Sequence, residues 1–417
     1  MYRFHKLFLL IIVLIPFSCF YAHGKGKTYM KSWKKGYLDI HQISTGRGNA
    51  AFMILPDGTK MLFDIGNIGD TTVYKMNMMP AVPSSKKAPE EWVAAYIEHF
   101  TSESGLNSDI DYAVISHFDE DHMGMTIMDD NGNYASSGIV ALDNLLKINK
   151  IIDRGLDYPT KEQLYASRGF ILEGYEAFMK SRADRGFKDE LFKVGANEQI
   201  VLLNEPEKYS DFEIRNIYSN GLLWTGNGYE FKDLVPGTGE EKLLNYKQMH
   251  ENKNSCVINI SYGDFDYHTG GDIHAVSKNS PYQWNNIEKA VGDQIGETDV
   301  IVANHHACSD ATSFDFIDST DPQVCIVPIW DYYHIQPQQL KDMLYGGDDF
   351  EDNEVYTAGF VPASIHESYP ELYSKLKPSG HVVLRVYDGG KYFRIFVLND
   401  RSTDYEIIYS SDRFRSR

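Results

Sequence analysis

The segment Ile115-Ser116-His117-Phe118-Asp119-Glu120-Asp121-His122-Met123-Gly124 concentrates residues that bind metal ions. Two imidazoles and three carboxylates sit within six residues, directly behind an apolar stretch. His117 and Asp119, two apart, can project the same way from an extended strand end. Asp121 and His122 can turn in from the loop or helix start that follows. Imidazole and carboxylate together can hold one or two divalent ions. The plain alternative is a solvated acidic loop with two incidental histidines. Histidine on both flanks, and a buried strand aiming the run, favour the metal.

The elements that must position this run alternate between two periods. Tyr37–Ser44, Ala50–Leu55 and Lys60–Asp64 read as strands, with Pro56-Asp57-Gly58 as a turn. Ala113–Ser116 is a short apolar strand that feeds the His/Asp run. Cys256–Tyr262 and Phe265–Thr269 flank Gly263-Asp264 as a hairpin, and His381–Tyr387 and Tyr392–Val397 flank Gly389-Gly390. Val300–Ala303 and Val324–Pro328 are further apolar strands. Helical patterns cover Glu90–Phe100, Lys161–Ala183 and Pro337–Leu344, the last with Pro in its first turn. Two sets of strands with helices between them predict a layered α/β fold. Insertions near 70–107 and 129–205 carry no recognisable chemistry and read as elaborations on one domain spanning 25–417.

With 40 Lys and Arg against 59 Asp and Glu, the chain of 417 residues carries a formal charge of −19. A surface this acidic disfavours tight non-specific nucleic-acid binding, which needs basic patches to displace counterions. Residues 1–24 read as a signal peptide: Arg3 and Lys6, an apolar run Leu7–Ile15, then Pro16 and a small-residue site at Ala22-His23-Gly24. The protein is therefore expected to be exported, periplasmic or secreted. Cys19, preceded by Ser18, offers the alternative of a lipid anchor. Cys256, Cys308 and Cys325 show no paired spacing, so no disulfide framework is expected. Cys256 and Cys325 read as small buried hydrophobes, and Cys308 as a packed thiol near the site.

The motifs together resemble the metallo-β-lactamase superfamily, whose signature is His-x-His-x-Asp-His at a strand end. The variant here, His-x-Asp-x-Asp-His over His117–His122, is similar to the hydrolase domain of the competence protein ComEC. That subgroup shows Ser-His-Pro-Asp-Ala-Asp-His-Ile-Gly-Gly; Phe118 stands for its Pro and Met125 for its last Gly. Gly48-Asn49-Ala50, Pro56-Asp57-Gly58 and Asp64-Ile65-Gly66 follow the family's opening hairpin. Asn254-Ser255 and Gly270-Gly271-Asp272 resemble its Asn-Ser strand and Thr-Gly-Asp turn. Asn304-His305-His306-Ala307 resembles its His-His-Gly loop, and Trp330–His334 its last Gly-His-Pro turn. Five motifs in the expected order, over about residues 36–345, are more specific than any one alone.

The resemblance implies a four-layer αββα sandwich with two divalent metal ions, Zn or Mn, at one edge of the sheets. It carries over His117, Asp119, Asp121, His122, Asp272 and His334 as ligands, with Asp272 bridging. His305 or His306 becomes a nearby ligand or transition-state donor, Asp121 orients the attacking hydroxide, and Asp64, Asn254 and Ser255 support the site. Asp119 at the usual second His position makes the first metal position oxygen-rich, which admits Mn²⁺ or Mg²⁺ beside Zn²⁺. The implied function is an exported metal-dependent hydrolase using a hydroxide held by the ions, acting on a small or medium-sized phosphoester, above all a phosphodiester. Lactone, β-lactam or thioester hydrolysis, or a non-catalytic binding protein of the same fold, are the alternatives. His41, His250, His268, His274 and His381 read as structural or exposed. Ser309, Asp310 and Ser313 are placed near the pocket. Tyr74, Trp92, Tyr96, Arg154, Tyr332 and Tyr333 read as packing or surface rather than substrate contacts.

Overall fold

A computed structural model describes residues 26–69, 78–125, 127–128, 134–157, 160–346, 353–361, 367–387 and 389–417. The expected leader, with Cys19, and Tyr74 lie outside them. Among the described residues no helix is long and apolar enough to cross a membrane.

Two large sheets pack face to face. The first runs, edge to edge, Ile407–Ser410, Tyr392–Leu398, His381–Val386, Leu38–Gln42, Ala50–Ile54, Lys60–Ile65, Ile110–Val114, Ile148–Asp153 and Glu190–Leu191. The second runs Phe231–Asp233, Leu222–Trp224, Phe212–Ser219, Val257–Tyr262, Phe265–Thr269, Val300–Val302, Val324–Pro328 and Glu354–Ala358. In both, antiparallel hairpins give way to parallel strands, with Lys60–Ile65 beside Ile110–Val114 and Phe265–Thr269 beside Val300–Val302.

The alternation of side chains explains why the central strands read as unbroken apolar runs. Ala51 and Met53 face the core between the sheets, while Ala50, Phe52 and Ile54 face the outer layer. Val324 and Ile326 likewise point inward, and Cys325 and Val327 outward. Strands covered on both faces must be apolar on both. Helices Pro89–Glu103, Gly138–Leu145 and Lys161–Asp184 supply the cover of the first sheet through Val93, Ile97, Ile139 and Leu172. Helices Ile287–Ile295, Phe314–Thr320 and Pro337–Tyr345 cover the second through Val291, Phe316 and Leu340. The architecture is the four-layer αββα sandwich.

Two differences from the sequence reading matter for the site. The strand before the His/Asp run is Ile110–Val114, three residues earlier than expected, because the half-buried Asp111 disguises its start. It ends where the Ser116 amide leaves the ladder and donates to the Asp64 carboxylate at 2.7 Å. The stretches taken as insertions also contribute to the layers: Ile148–Asp153 pairs with Ile110–Val114, and the helix Pro89–Glu103 is part of the outer cover.

Candidate metal centre

The site gathers where strand ends of both sheets meet. His117 follows the strand Ile110–Val114, and a single helical turn Glu120–Met123 brings round Asp121 and His122. Asp272 follows the hairpin strand Phe265–Thr269. His305 and His306 follow Val300–Val302 in a loop where His305, His306 and Ala307 have φ of 46°, 54° and 56°. Three consecutive non-glycine residues in the left-handed region are strained, and such strain clusters where geometry serves function. The His/Asp turn is clamped from behind by Gly66. A Cβ there would stand 1.9 Å from the Asp121 carbonyl oxygen, so only glycine lets the backbones approach.

Each of three histidines has its proton fixed on Nδ1 by an outer partner. His122 Nδ1 lies 2.8 Å from Asp64 Oδ2, a carboxylate that accepts only. His306 Nδ1 donates to the Pro328 carbonyl at 3.1 Å. His117 Nδ1 lies 3.2 Å from Ser255 Oγ, whose own proton goes to the Asn252 carbonyl at 2.6 Å, so the hydroxyl accepts from the ring. All three Nε2 lone pairs therefore turn inward. Outer partners that fix the tautomer and aim the other nitrogen are the pattern of metal-binding imidazoles.

Asp272 divides what they face. Its Oδ1 stands 3.0 Å from His122 Nε2 and 3.6 Å from His306 Nε2; Asp121 Oδ2 is 3.4 Å and 3.1 Å from the same two nitrogens. These four residues are buried and offer ligand atoms within 4.8 Å of one another. The other oxygen, Oδ2, stands 4.0 Å from His117 Nε2 and 3.9 Å from His305 Nε2, and Asp119 Oδ2 is 3.6 Å from His117 Nε2. His117 Nε2 and Asp272 Oδ1 are buried without a hydrogen-bond partner among the described residues. Orphaned buried polar atoms are costly, and a divalent cation beside each satisfies it. The donor set fits the metal.

The electrostatics agree. Burial opposes a charge on His122, yet Asp272, Asp121 and Asp64 outweigh it and raise its pKa well above the usual value. Burial opposes ionisation of Asp121 as well, but His122 and His306 hold it well below the usual carboxylate range. A field that draws a proton to such a point also draws a metal cation. For His305, burial is again outweighed, by Asp272 and Asp310, and its pKa is raised to about 9. Asp310 accepts from His305 Nδ1 at 2.9 Å.

No protein-family model matches the chain, and no curated protein does. Among solved structures it is similar to a Parabacteroides distasonis protein assigned as a metal-dependent hydrolase, at 11% identity over 82% of this chain and 92% of that one, with a TM-score of 0.30. It is also similar to a mutant metallo-β-lactamase from Cronobacter sakazakii, at 12% identity over 63% and 75% of the two chains, with a TM-score of 0.28. Likenesses this distant carry no chemical inference, which rests on the side chains.

His306, rather than His334, joins the cluster. His334 stacks flat on His306, ring centroids 4.5 Å apart and 4° from parallel. Its Nδ1 faces the backbone amides of Trp330 and Asp331 at 3.3 and 3.4 Å. Accepting there puts the ring proton on Nε2 and leaves no lone pair for a metal. Asn254 is also turned away, its amide donating to the His250 carbonyl at 3.2 Å, whereas Ser255 and Asp64 orient the His117 and His122 rings. Arg154 is buried, held by Glu251 at 2.7 and 2.5 Å, and Glu251 also takes the Phe118 amide at 3.0 Å. It positions the His117–Asp119 backbone. Burial and nearby carboxylates, Asp272 first, push the Cys308 thiol up, so it stays protonated.

Two residues escaped the sequence reading. Arg168, from the long helix Lys161–Asp184, pairs with Asp119. Trp330 donates its indole N–H to Asp121 Oδ2 at 3.0 Å. The cluster opens into a pocket of about 550 Å³ whose walls include Glu120, Ile171, Cys308 and Tyr333. A wider cleft of about 970 Å³ adjoins it, sharing Asp119, Arg168, Asn252 and His305.

Proposed function

We propose that this chain is a metal-dependent hydrolase that cleaves phosphodiesters. The observation that carries it is the Asp272 carboxylate, with one oxygen turned to Asp121, His122 and His306 and the other to His117 and His305. Two divalent cations would fit, one held by Asp121, His122, Asp272 Oδ1 and His306, the other by His117, Asp119, Asp272 Oδ2 and His305. When bound, such a pair supplies Lewis acidity toward a phosphoryl oxygen and acidifies water.

The chain's own groups provide the rest. Asp64, Ser255 and Pro328 keep the imidazoles aimed. Trp330 holds Asp121 by its indole N–H, and Arg168 holds Asp119, so neither carboxylate swings away. His305 has a half-open side chain and faces both the pocket and the wider cleft. Asp310 takes its Nδ1 proton at 2.9 Å, which keeps Nε2 aimed toward Asp272. With Asp119 in place of a second imidazole, each position has two imidazole and two carboxylate donors, a set that takes Mn²⁺ beside Zn²⁺, and paired cations suit phosphoryl displacement. The motif resemblance to the ComEC-type hydrolase domain points the same way.

The test is hydrolysis of bis-(p-nitrophenyl) phosphate by the mature chain, after metal stripping and re-addition of Mn²⁺ or Zn²⁺, beside Asp121→Ala. Turnover that the metal restores and the variant lacks is the expected result. Turnover of a lactone or thioester in its place would move the reading to those substrates. We also propose that residues 1–24 direct export. The mass of the protein recovered from cells distinguishes cleavage near Gly24 from acylation of Cys19.

A further inference from the structure

We propose that the wider cleft contains an anion subsite, built from Lys253, His274 and His250, that takes a non-reacting phosphate of an extended substrate. It rests on the phosphodiesterase reading for the identity of that substrate. The cleft shares Asp119, Arg168, Asn252 and His305 with the reaction pocket, so a chain of linked phosphates could pass from one to the other without leaving the surface.

Lys253 is the first ground. Its side chain is buried, with 2% of the residue exposed, yet it makes no ion pair among the described residues. One bond is recorded for its ammonium, to the Asn285 carbonyl at 2.7 Å, and an ammonium has three protons to give. Arg154 shows the contrast: there Glu251, two residues before Lys253, compensates the buried charge with two hydrogen bonds. A buried cation without a counterion is unfavourable unless an anion arrives.

His274 is the second. It is 7% exposed, and its Nδ1 is buried without a hydrogen-bond partner. The Lys253 charge is felt at this ring, and the His250 and His305 rings lie 6.3 and 5.5 Å from it. Asp310 lies beside this group and is engaged by His305 at 2.9 Å; it and the buried Glu288 are felt at Lys253, but neither pairs with it. His274, His305 and Asp310 have a spacing that could hold a cation. The ammonium of Lys253 opposes a cation there and welcomes an anion.

Two readouts on the full-length protein test the subsite. First, calorimetric titration with inorganic phosphate should show one phosphate fewer bound by Lys253→Met, or by His274→Gln if the buried lysine variant fails to fold. Second, a terminal phosphate on a thymidine dinucleotide should lower KM about tenfold or more relative to the same dinucleotide without it. The variants should erase that advantage while leaving kcat for the plain dinucleotide within about twofold of the wild type. Unchanged phosphate stoichiometry in both variants, or loss of a metal ion in place of a phosphate, overturns the proposal. If neither dinucleotide is cleaved, the phosphodiesterase reading fails, and the phosphate titration still decides the subsite.

Discussion

His122 and His306 face each other Nε2 to Nε2 at 3.3 Å, while Asp64 and the Pro328 carbonyl hold a proton on the far nitrogen of each ring. Two lone pairs at that separation repel unless a positive charge lies between them. Asp121 and Asp272 stand at the same point. A positive charge belongs there, a ring proton in the metal-free protein and a metal ion when one is bound.

Metal removal should therefore cost stability. A ligand present at a thousand times its Kd adds about 4 kcal/mol. Chelation should lower the melting temperature by several degrees, and back-titration with Mn²⁺ or Zn²⁺ should restore it. A melting curve indifferent to chelator would contradict the fit.

Asp64→Asn probes the outer partner without disturbing the backbone. Asp64 has φ of 61°, and asparagine tolerates the left-handed region as well as aspartate does. The variant loses the carboxylate that accepts from His122 Nδ1. Metal affinity should fall about 10–100-fold, as for other outer-partner changes, and the stripped protein should also melt lower, because Asp64 Oδ2 accepts from Asn49 and Ser116 as well. Competition against a chromophoric chelator measures the affinity.

Arg154→Met should act on stability. It leaves Glu251 charged and buried beside the Phe118 amide, at a cost of about 3–5 kcal/mol. Urea unfolding reads this directly. A change below about 1 kcal/mol would return Arg154 to the surface role that the sequence left open.

Acid should weaken the fold through histidines far from the metal. Burial lowers His41 and His381 to about 3, in the outer layer around Tyr96. The folded state keeps these rings neutral, while the unfolded chain takes up protons below about 6.5. Stability from this source is intact above about pH 6.5 and is lost as pH falls toward 3, by up to about 1.4 kcal/mol per unit for each ring. Urea unfolding at pH 7.5 and pH 5 checks it. His381→Asn should flatten the slope.

The parts of the site legible in sequence were those carried by neighbouring residues. His117 to His122 sit in one loop behind one strand, and Asp272 follows a hairpin whose turn is written as Gly263-Asp264. Choosing between His306 and His334 was beyond sequence, because the choice depends on which ring nitrogen meets the backbone amides of Trp330 and Asp331. Arg168 was hidden for another reason. It lies 49 residues from Asp119, on a helix with no motif, and only the packing of that helix beside the sheet brings them together. Arg154 was left between packing and surface, since a basic residue after a strand looks the same whether it meets solvent or Glu251; the structure packs it.

The most direct measurement is the metal content of the purified protein by elemental analysis, beside Asp272→Ala. Two divalent ions per chain are expected in the wild type and one or none in the variant, because one carboxylate would serve both positions. A wild-type protein that stays metal-free when dialysed against Mn²⁺ or Zn²⁺, or a variant that keeps both ions, would contradict this.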